Sequence, residues 1–400
     1  MIRDGALALS AAVMTHPSRE AEVRRFVERH PELDLRVAVD PEPGRGHSLG
    51  TALLAWSMVE SGATHHLVLQ DDVVLCEGFV ELMFAAVRTH PDAAVSMFAE
   101  WGARAGGLVR LALLRGQGYA AVADPYIPTQ ALVLPAAQAA DFAEKGHTET
   151  EPDDIALLRH LRRTGSPGVV VAPNLVQHED RPSLTGNTFQ GPRLSACFVS
   201  DPSAGTLAAL EPTVAGADLD FLPHASWMRL MGEWFYCGPD EEAVWTGWLL
   251  AERFPPDLDA AWLRARYAAH LARSDTREEI RGTLSDTVLF EVWLTCCALG
   301  LVSGVAPAHV ETRASDPLWR AALATVLPGA FRRYLPAPVL DRLGPYASDL
   351  FGLAVHAGAE AAAGLDRDTL LAIAHRGPGD PEADAVATAM INPPTRGSTP

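Results

Sequence analysis

The sequence predicts an α/β fold: a three-layer sandwich with a mostly parallel β-sheet, followed by a mostly α-helical C-terminal domain. Up to about residue 200, short apolar runs typical of strands alternate with segments of helical periodicity, which is the pattern of a sheet covered by helices. Past Asp201 the strand signal fades and helical patterns follow one another. A chain of 400 residues also exceeds what one compact core usually holds, so two domains are expected.

The predicted elements of the first half are short and regularly spaced. Apolar runs indicate strands at residues 6–14, 35–39, 65–69, 93–98, 129–134, 169–172 and 195–200. Helical spacing indicates helices at residues 20–29, 48–59, 79–88 and 155–163. Ser48 is the predicted N-cap of the second helix, and Gly62 terminates it. Residues 102–118, rich in glycine and arginine, predict a mobile loop or a substrate-facing excursion.

The second half is predicted to be a separate helical domain. Helices are expected at residues 225–236, 241–253, 260–272 and 287–301, with several more toward Met390. The expected limits are 1–204 for the first domain, 217–391 for the second and 392–400 for a disordered tail. An aromatic cluster with partly helical spacing is more often core than a platform for carbohydrate: Trp227, Trp234, Phe235, Tyr236, Trp245 and Trp248. Acceptor binding, homo-oligomerisation and an unrelated function all stay open for this domain.

The composition excludes some classes of function. The formal net charge of −18 argues against nucleic acid as the main partner, because phosphate neutralisation needs basic patches. No apolar run reaches the roughly 18 residues that span a bilayer, and no signal-peptide pattern opens the sequence. A cytoplasmic protein without a transmembrane segment is therefore expected. The five cysteines show no zinc-ligand spacing, and the vicinal Cys296 and Cys297 are expected to be buried free thiols.

The strongest chemical feature is an aspartate pair, Asp71 and Asp72, close behind the apolar run at residues 65–69. In open α/β sheets, ligands bind outside the carboxyl ends of the strands, so the pair is predicted to lie at that edge. Adjacent carboxylates repel each other and need a cation or good hydrogen bonds to stay ionised together. A divalent ion such as Mg²⁺ or Mn²⁺, shared with a diphosphate, meets that need. The alternative is a turn cap beside a solvated carboxylate, which an isolated pair would favour.

A second acidic segment, residues 148–154, precedes the predicted helix at 155–163. Thr150 and Asp153 have capping-box spacing, and acidic residues in a first helical turn complement the helix dipole. The alternative is that one carboxylate faces a cleft as a general base toward an acceptor hydroxyl. A helix terminus would keep that carboxylate ionised but would make it a weaker base. The residues alone favour the helix cap.

Histidines form a third group of candidates. His178 follows the predicted strand at 169–172 and could be a metal ligand or a diphosphate donor, although a lone histidine is more often an ordinary surface or capping residue. His65 and His66 are weaker candidates. The segment 44–46 lacks the ending of a P-loop, and neither a Gly-x-Ser-x-Gly elbow nor a His-Glu-x-x-His motif occurs.

In order and spacing, these pieces resemble the GT-A class of nucleotide-sugar glycosyltransferases, most of all bacterial relatives of the lipooligosaccharide and procollagen glycosyltransferase group. The resemblance covers roughly the first half of the chain. The segments that carry it are 13–19, Asp40, 64–73, 153–154 and 173–178. It implies a GT-A-like, Rossmann-like sheet. It also implies an enzyme that moves a sugar from a nucleotide-diphosphate sugar to an acceptor hydroxyl, metal-dependent and inverting.

On the donor side, the resemblance assigns a nucleotide-binding role to four residues: Thr15, His16, Arg19 and Asp40. Gln70, Asp71 and Asp72 stand where the family has its Asp-x-Asp motif, with Gln70 in place of the usual first aspartate. By this resemblance, Gln70 and Asp71 belong to the nucleotide-sugar site, and Asp71 lies near the ribose or the sugar.

The resemblance also implies the metal site and the catalytic base. Asp72 would be the metal-binding carboxylate, and His178 would complete the metal or diphosphate site around Mn²⁺ or Mg²⁺. Asp154, or its neighbour Asp153, would take the acceptor proton on the face opposite the leaving diphosphate. Neither the donor sugar nor the acceptor follows from the sequence.

Two other functions compete with this interpretation. A nucleotidyltransferase has a similar sheet and uses carboxylates with Mg²⁺. It ranks lower, because such enzymes usually have a glycine-rich, basic loop after the first strand, and residues 15–19 contain no glycine. A non-catalytic glycosyltransferase-like binding module or scaffold would use Asp153 and Asp154 only as a helix cap.

Overall fold

The computed structural model describes residues 1–43, 48–181, 184, 186–202, 207–236, 247–249, 254, 258–273, 277–366 and 368–370. The chain forms two compact units. The first contains Met1–Ala215 together with Phe331–Pro338, and the second contains the described residues of 216–330 and those from Val339 onward. The expected tail at 392–400, most of the expected helix at 241–253, and Trp245 lie outside the described residues.

The first unit is built around a mixed β-sheet. Its described strands are β1 (Ile2–Asp4), β2 (Leu7–Thr15), β3 (Leu35–Val39), β4 (His65–Gln70), β5 (Val73–Leu75), β6 (Ala94–Ser96), β7 (Gln117–Ala121), β8 (Ala131–Pro135), β9 (Gly168–Val171), β10 (Val176–His178) and β11 (Glu211–Ala215). Nine of them form one sheet in the order β1-β2-β4-β8-β6-β9-β7-β11, with β3 also paired to β2; β5 and β10 form a separate antiparallel pair. In that sheet β2, β3, β4, β6 and β9 run in one direction, and the other four strands run in the opposite direction.

Helices cover both faces of this sheet. They are α1 (Glu20–Arg29), α2 (Leu49–Trp56), α3 (Phe79–Thr89), α4 (Arg104–Arg115), α5 (Ala136–Lys145) and α6 (Asp153–Thr164). Successive residues of a strand point to opposite faces: Leu67 and Leu69 of β4 enter a core with residues of α1 and α3, whereas Val68 enters a second core with residues of α2, α5 and α6. A sheet between two helical layers confirms the predicted α/β class.

The prediction of a mobile loop at residues 102–118 is wrong, because this segment contains the buried helix α4. The Asp124 carboxylate accepts the backbone N–H groups of Arg104 at 3.0 Å and of Ala105 at 2.9 Å, and so caps the helix. A Cβ atom at Gly106 would lie 2.4 Å from the carbonyl oxygen of Glu100. The glycine therefore marks close packing of the helix.

The expected helix at residues 225–236 is also wrong. These residues belong to an antiparallel sheet in the second unit, formed by β12 (Phe221–Ser226), β13 (Met231–Tyr236) and β14 (Gly247–Leu249). Between β12 and β13 the chain turns at Leu230, which has a left-handed φ of 54°, and aromatic residues such as those of β13 favour strands. The expected strand at 195–200 is reduced to isolated bridges.

Beyond β14 the described chain is helical, which confirms the predicted helical C-terminal region. The helices are α7 (Ala260–Arg273), α8 (Arg277–Thr283), α9 (Asp286–Val302), α10 (Pro307–Arg313), α11 (Pro317–Ala324), α12 (Val326–Phe331) and α13 (Ala337–Ala363). The thiols of Cys296 and Cys297 in α9 are buried and form no disulfide with a described residue, as expected. A Cβ atom at Gly358 of α13 would lie 1.9 Å from the carbonyl oxygen of Cys297, so the two helices are in backbone contact. None of the helices in the described ranges is long and apolar enough to cross a membrane.

Candidate active site

The order of the strands creates a topological switch point between β2 and β4. From β2 the chain moves to β3 on one side and then returns to β4 on the other. A crevice forms outside the carboxyl ends of strands at such a point, and ligands bind there in open α/β sheets. Thr15 ends β2, Asp40 follows β3, and Asp71 follows β4, so three predicted site residues meet at this edge. The backbone N–H of Asp40 donates to the carbonyl oxygen of Thr15 at 2.8 Å.

Asp71 uses both carboxylate oxygens within the protein. The hydroxyl of Thr15 donates to one oxygen at 2.6 Å, and Nη1 of Arg19 donates to the other at 2.9 Å. All three side chains are buried or half-buried. Asp71 therefore fixes the position of Thr15 and Arg19 at the end of β2. Its predicted contact with a ribose or a sugar stays a prediction.

Asp72 lies between Arg19 and His178. Its Oδ2 is 3.5 Å from Nη1 of Arg19 and 3.4 Å from Nε2 of His178, and its Oδ1 is buried with no hydrogen-bond partner among the described residues. Pairing of β5 with β10 sets this geometry, since His178 is in register with Val73. Burial tends to raise the pKa of Asp72, but His178 and Arg19 outweigh it and hold the pKa below its usual value. Asp72 is thus an ionised carboxylate with an unused oxygen.

The electrostatics of this aspartate pair bear on the predicted metal. Arg19 already supplies a cation to both carboxylates. In the described part of the chain, no group of three His, Cys, Asp or Glu side chains is arranged to hold a metal ion. Asp72 and His178 do offer two converging ligands, each with a buried atom that lacks a hydrogen-bond partner among the described residues. Two protein ligands fit an ion that takes its remaining ligands from phosphate oxygens and water, as Mg²⁺ does.

The second acidic pair is connected to the first by hydrogen bonds. Nε2 of Gln70 donates to the hydroxyl oxygen of Thr129 at 3.1 Å, and Thr129 in turn hydrogen-bonds to Asp153. The hydroxyl of Ser48 also donates to Asp153, which is only 5% exposed. These hydrogen bonds connect the start of α6 to the carboxyl end of β4. The two acidic motifs, 81 residues apart in sequence (72 to 153), therefore meet in one region.

Asp154 differs from Asp153 in its surroundings. It is half-buried, and its Oδ1 accepts the backbone N–H of Ile155 at 2.8 Å. Burial, and next to it the negative charge of Asp153, raise the pKa of Asp154 to about 7. The expectation that the helix terminus would make it a weaker base is wrong, because both of these effects outweigh the hydrogen bonds that favour the carboxylate. A carboxylate with a pKa near neutrality is suited to general-base catalysis.

The expected capping roles near this site are also corrected. The N-cap of α6 is Pro152, which makes no side-chain cap hydrogen bond, so Thr150 and Asp153 do not form a capping box. Ser48 does precede α2, which ends at Trp56, but its side chain makes no cap hydrogen bond because it donates to Asp153.

The remaining predicted histidines have local partners. Nδ1 of His16 accepts the backbone N–H of Ser18 at 3.1 Å, which caps the short turn before α1. His66 is fully buried between Ser10 and the carbonyl oxygen of Ala55. Burial lowers the pKa of His66 to about 4, so its ring is neutral. His66 is therefore a core residue.

Two residues near the acidic pairs carry no signal in the sequence. The positive charge of Arg193 lowers the pKa of both Asp72 and Asp154, so it acts on both acidic pairs. Tyr126 is influenced by Asp154 as well: burial and nearby carboxylates raise the pKa of its phenol well above the usual value, so it remains protonated. Both residues lie in irregular segments, where periodicity gives no information.

Comparison with known proteins gives no match: no protein-family model and no curated protein aligns significantly with this chain.

Proposed function

We propose that this protein is an inverting glycosyltransferase that moves a sugar from a nucleotide-diphosphate sugar to an acceptor hydroxyl. The observation that carries the proposal is the meeting of the two acidic motifs at one sheet edge through Gln70, Thr129 and Asp153. One motif then serves the donor and the other serves the acceptor. This division of roles matches the different states of Asp72 and Asp154.

Asp154 is the proposed base. Its carboxylate takes the proton of the acceptor hydroxyl as the hydroxyl oxygen forms a bond to the anomeric carbon. The bond from that carbon to the diphosphate oxygen breaks, and its electron pair leaves with the nucleoside diphosphate. Asp153 supports this role because its charge contributes to the raised pKa of Asp154.

Asp72, Arg19 and His178 form the proposed donor-diphosphate site. Arg19 carries a positive charge at the carboxyl end of β2, held there by Asp71. A divalent ion would be held by Asp72 and His178, and it would add positive charge where the diphosphate leaves. Thr15, His16 and Asp40 would border the nucleoside at the ends of β2 and β3. Gln70 would lie between the donor and Thr129, to which it donates a hydrogen bond.

The test is a panel of nucleotide-diphosphate sugars with Mn²⁺, read first by thermal shift and then by release of free nucleoside diphosphate. We expect one donor to stabilise the wild type and to be consumed when an acceptor is present. Asp72→Ala should lose metal-dependent donor binding and turnover while it keeps its fold, because it removes the carboxylate with the unused oxygen. Unchanged turnover in that variant would contradict the assignment. Donor binding with neither transfer nor hydrolysis would favour a binding module instead.

A further inference from the structure

A cleft of about 320 Å³ lies beside His178 in the first unit. Its volume is at the lower end of the range of small-molecule sites. Besides His178, its lining contains four arginines and one aspartate: Arg181, Arg193, Arg332, Arg333 and Asp180. Such a basic lining is unexpected in a chain with a net charge of −18. A local excess of one charge in a cleft concentrates ligands of the opposite sign.

Two of the arginines are committed to other residues of the first unit. Arg332 is buried and forms an ion pair with Glu100. Arg181 pairs with Glu22 and with Glu179. Their positive charges are therefore largely compensated within the protein. They shape the cleft but are not the cations available to a ligand.

Neither of the other two arginines forms an ion pair with a described residue, although the charge of Arg193 acts on Asp72 and Asp154. Arg193 is half-buried and makes no hydrogen bond or ion pair there. Arg333 contacts only aromatic rings, at 5.6 Å from the ring centre of Phe189 and 5.9 Å from that of Tyr334. A guanidinium group offers several N–H donors in a fixed plane that matches phosphate oxygens. Both residues are therefore available to an anion.

His178 is the second, independent observation at this cleft. It is only 4% exposed, yet its Nδ1 has no hydrogen-bond partner among the described residues, whereas its Nε2 lies 3.4 Å from Oδ2 of Asp72. Buried polar atoms nearly always find such a partner. A ligand oxygen in the cleft would provide one. Phe189 and Tyr334, which are 58% and 47% exposed, are aromatic residues that contact Arg333 and do not themselves line the cleft.

We propose that this cleft binds a phosphate-type anion through Arg193 and Arg333, with His178 as an additional donor. The anion could come from a phosphate group on the acceptor or from the diphosphate of the donor. The cleft shares His178 with the proposed donor-diphosphate site, but its lining includes none of Thr15, Arg19, Asp71 and Asp72, and this favours the acceptor as the source. The choice of source rests on the proposed function, whereas anion binding does not.

Calorimetric titration of the full-length protein with inorganic phosphate and with pyrophosphate at low salt tests the proposal. We expect binding by the wild type, a Kd raised at least tenfold in Arg193→Gln and at least threefold in Arg333→Gln, and an intermediate Kd in Arg193→Lys. Arg3→Gln is the matched control. Arg3 is an exposed arginine in register with Ala8, near the opposite end of β2, and this variant should bind like the wild type. Circular dichroism checks that each variant is folded. No binding by the wild type, or equal Kd values in folded Arg193→Gln and Arg3→Gln, would overturn the proposal.

A competition experiment then separates the two sources. If the acceptor supplies the anion, phosphate still binds in the presence of a saturating concentration of the nucleoside diphosphate whose sugar donor the panel identifies, and the affinity for that nucleotide is unchanged in Arg193→Gln. If the donor supplies it, the nucleotide displaces phosphate and binds more weakly to Arg193→Gln. Both results support the anion site. If no nucleotide or nucleotide sugar binds while phosphate does, the proposed transferase function fails and the anion site stands.

Discussion

Replacement of Asp153 by asparagine should lower the pKa of Asp154 and move the pH dependence of activity with it. Asparagine has nearly the same shape as aspartate and keeps an oxygen that can accept the hydrogen bond from Ser48. The substitution therefore removes mainly one negative charge beside Asp154. In the wild type, burial and this charge together raise the pKa of Asp154 from 3.8 to about 7.

The expected fall in the pKa of Asp154 follows from the relative size of the two causes, burial and the charge of Asp153. Burial is the larger one, and it persists in the variant. The charge of Asp153 is the smaller one, and Asp153 is itself harder to ionise because burial raises its pKa. We therefore expect the pKa of Asp154 to fall by about one unit, which corresponds to about 1.4 kcal/mol of removed repulsion.

The measurement is the pH profile of kcat/KM, which reports the pKa of the essential base in the free enzyme. A base acts when deprotonated, so activity falls as the pH drops below its pKa. The acid limb of the kcat/KM profile should have its midpoint near pH 7 in the wild type and at about pH 6 in Asp153→Asn. Glu151→Gln is the control, because it removes a charge from the same segment, where Glu151 pairs with Arg159, and should leave the limb in place. An unmoved limb in Asp153→Asn would refute the account of Asp154.

Three further predictions concern stability. In the wild type, the raised folded-state pKa of Asp154 makes the free energy of unfolding decrease as the pH rises from 4 to 7. Asp154→Asn removes this carboxylate, so above pH 7 the variant should be more stable than the wild type by on the order of 2–4 kcal/mol in denaturant unfolding, and the gain should shrink toward pH 4. A variant less stable than the wild type at pH 8 would contradict this. Thr129→Val breaks the link between Gln70 and Asp153 and should lower the free energy of unfolding by about 1–2 kcal/mol; an unchanged denaturation midpoint would argue against the link. Gly106→Ala should destabilise the protein by about 1–3 kcal/mol, because its Cβ would meet a backbone oxygen at 2.4 Å. Gly50→Ala, with nothing within 4 Å, should be neutral or stabilising by up to about 1 kcal/mol, and equal thermal shifts in these two glycine variants would contradict the packing described for α4.

Local patterns in the sequence predicted the edge of the sheet where the site lies. The apolar run at residues 65–69 followed by Asp71 and Asp72 places acidic side chains at the end of a buried strand, and β4 ends there. Helix α1 matches its predicted limits, because its apolar positions recur at helical spacing. These predictions depend only on residues close together in the sequence, and the structure agrees with them.

Long-range packing determined what the sequence could not show. Arg104 and Arg110 interrupt the apolar pattern of α4 although both are buried; Nη2 of Arg110 donates to the carbonyl oxygen of Trp101 at 2.8 Å. The pKa of Asp154 depends on burial by residues distant in sequence. The turn at Leu230 has no glycine to signal its left-handed backbone. The sequence therefore predicts where carboxylates lie more reliably than how they are charged.

The most direct test of the proposed site compares donor affinity and transfer rate in Asp154→Asn and in the wild type, with the donor identified by the nucleotide-sugar panel. If Asp154 is the base and the donor lies at Asp72, the variant should bind the donor within about twofold of the wild type. Its transfer rate should fall by about 10²–10⁴, because only the proton acceptor is lost. A transfer rate equal to that of the wild type would contradict the central claim.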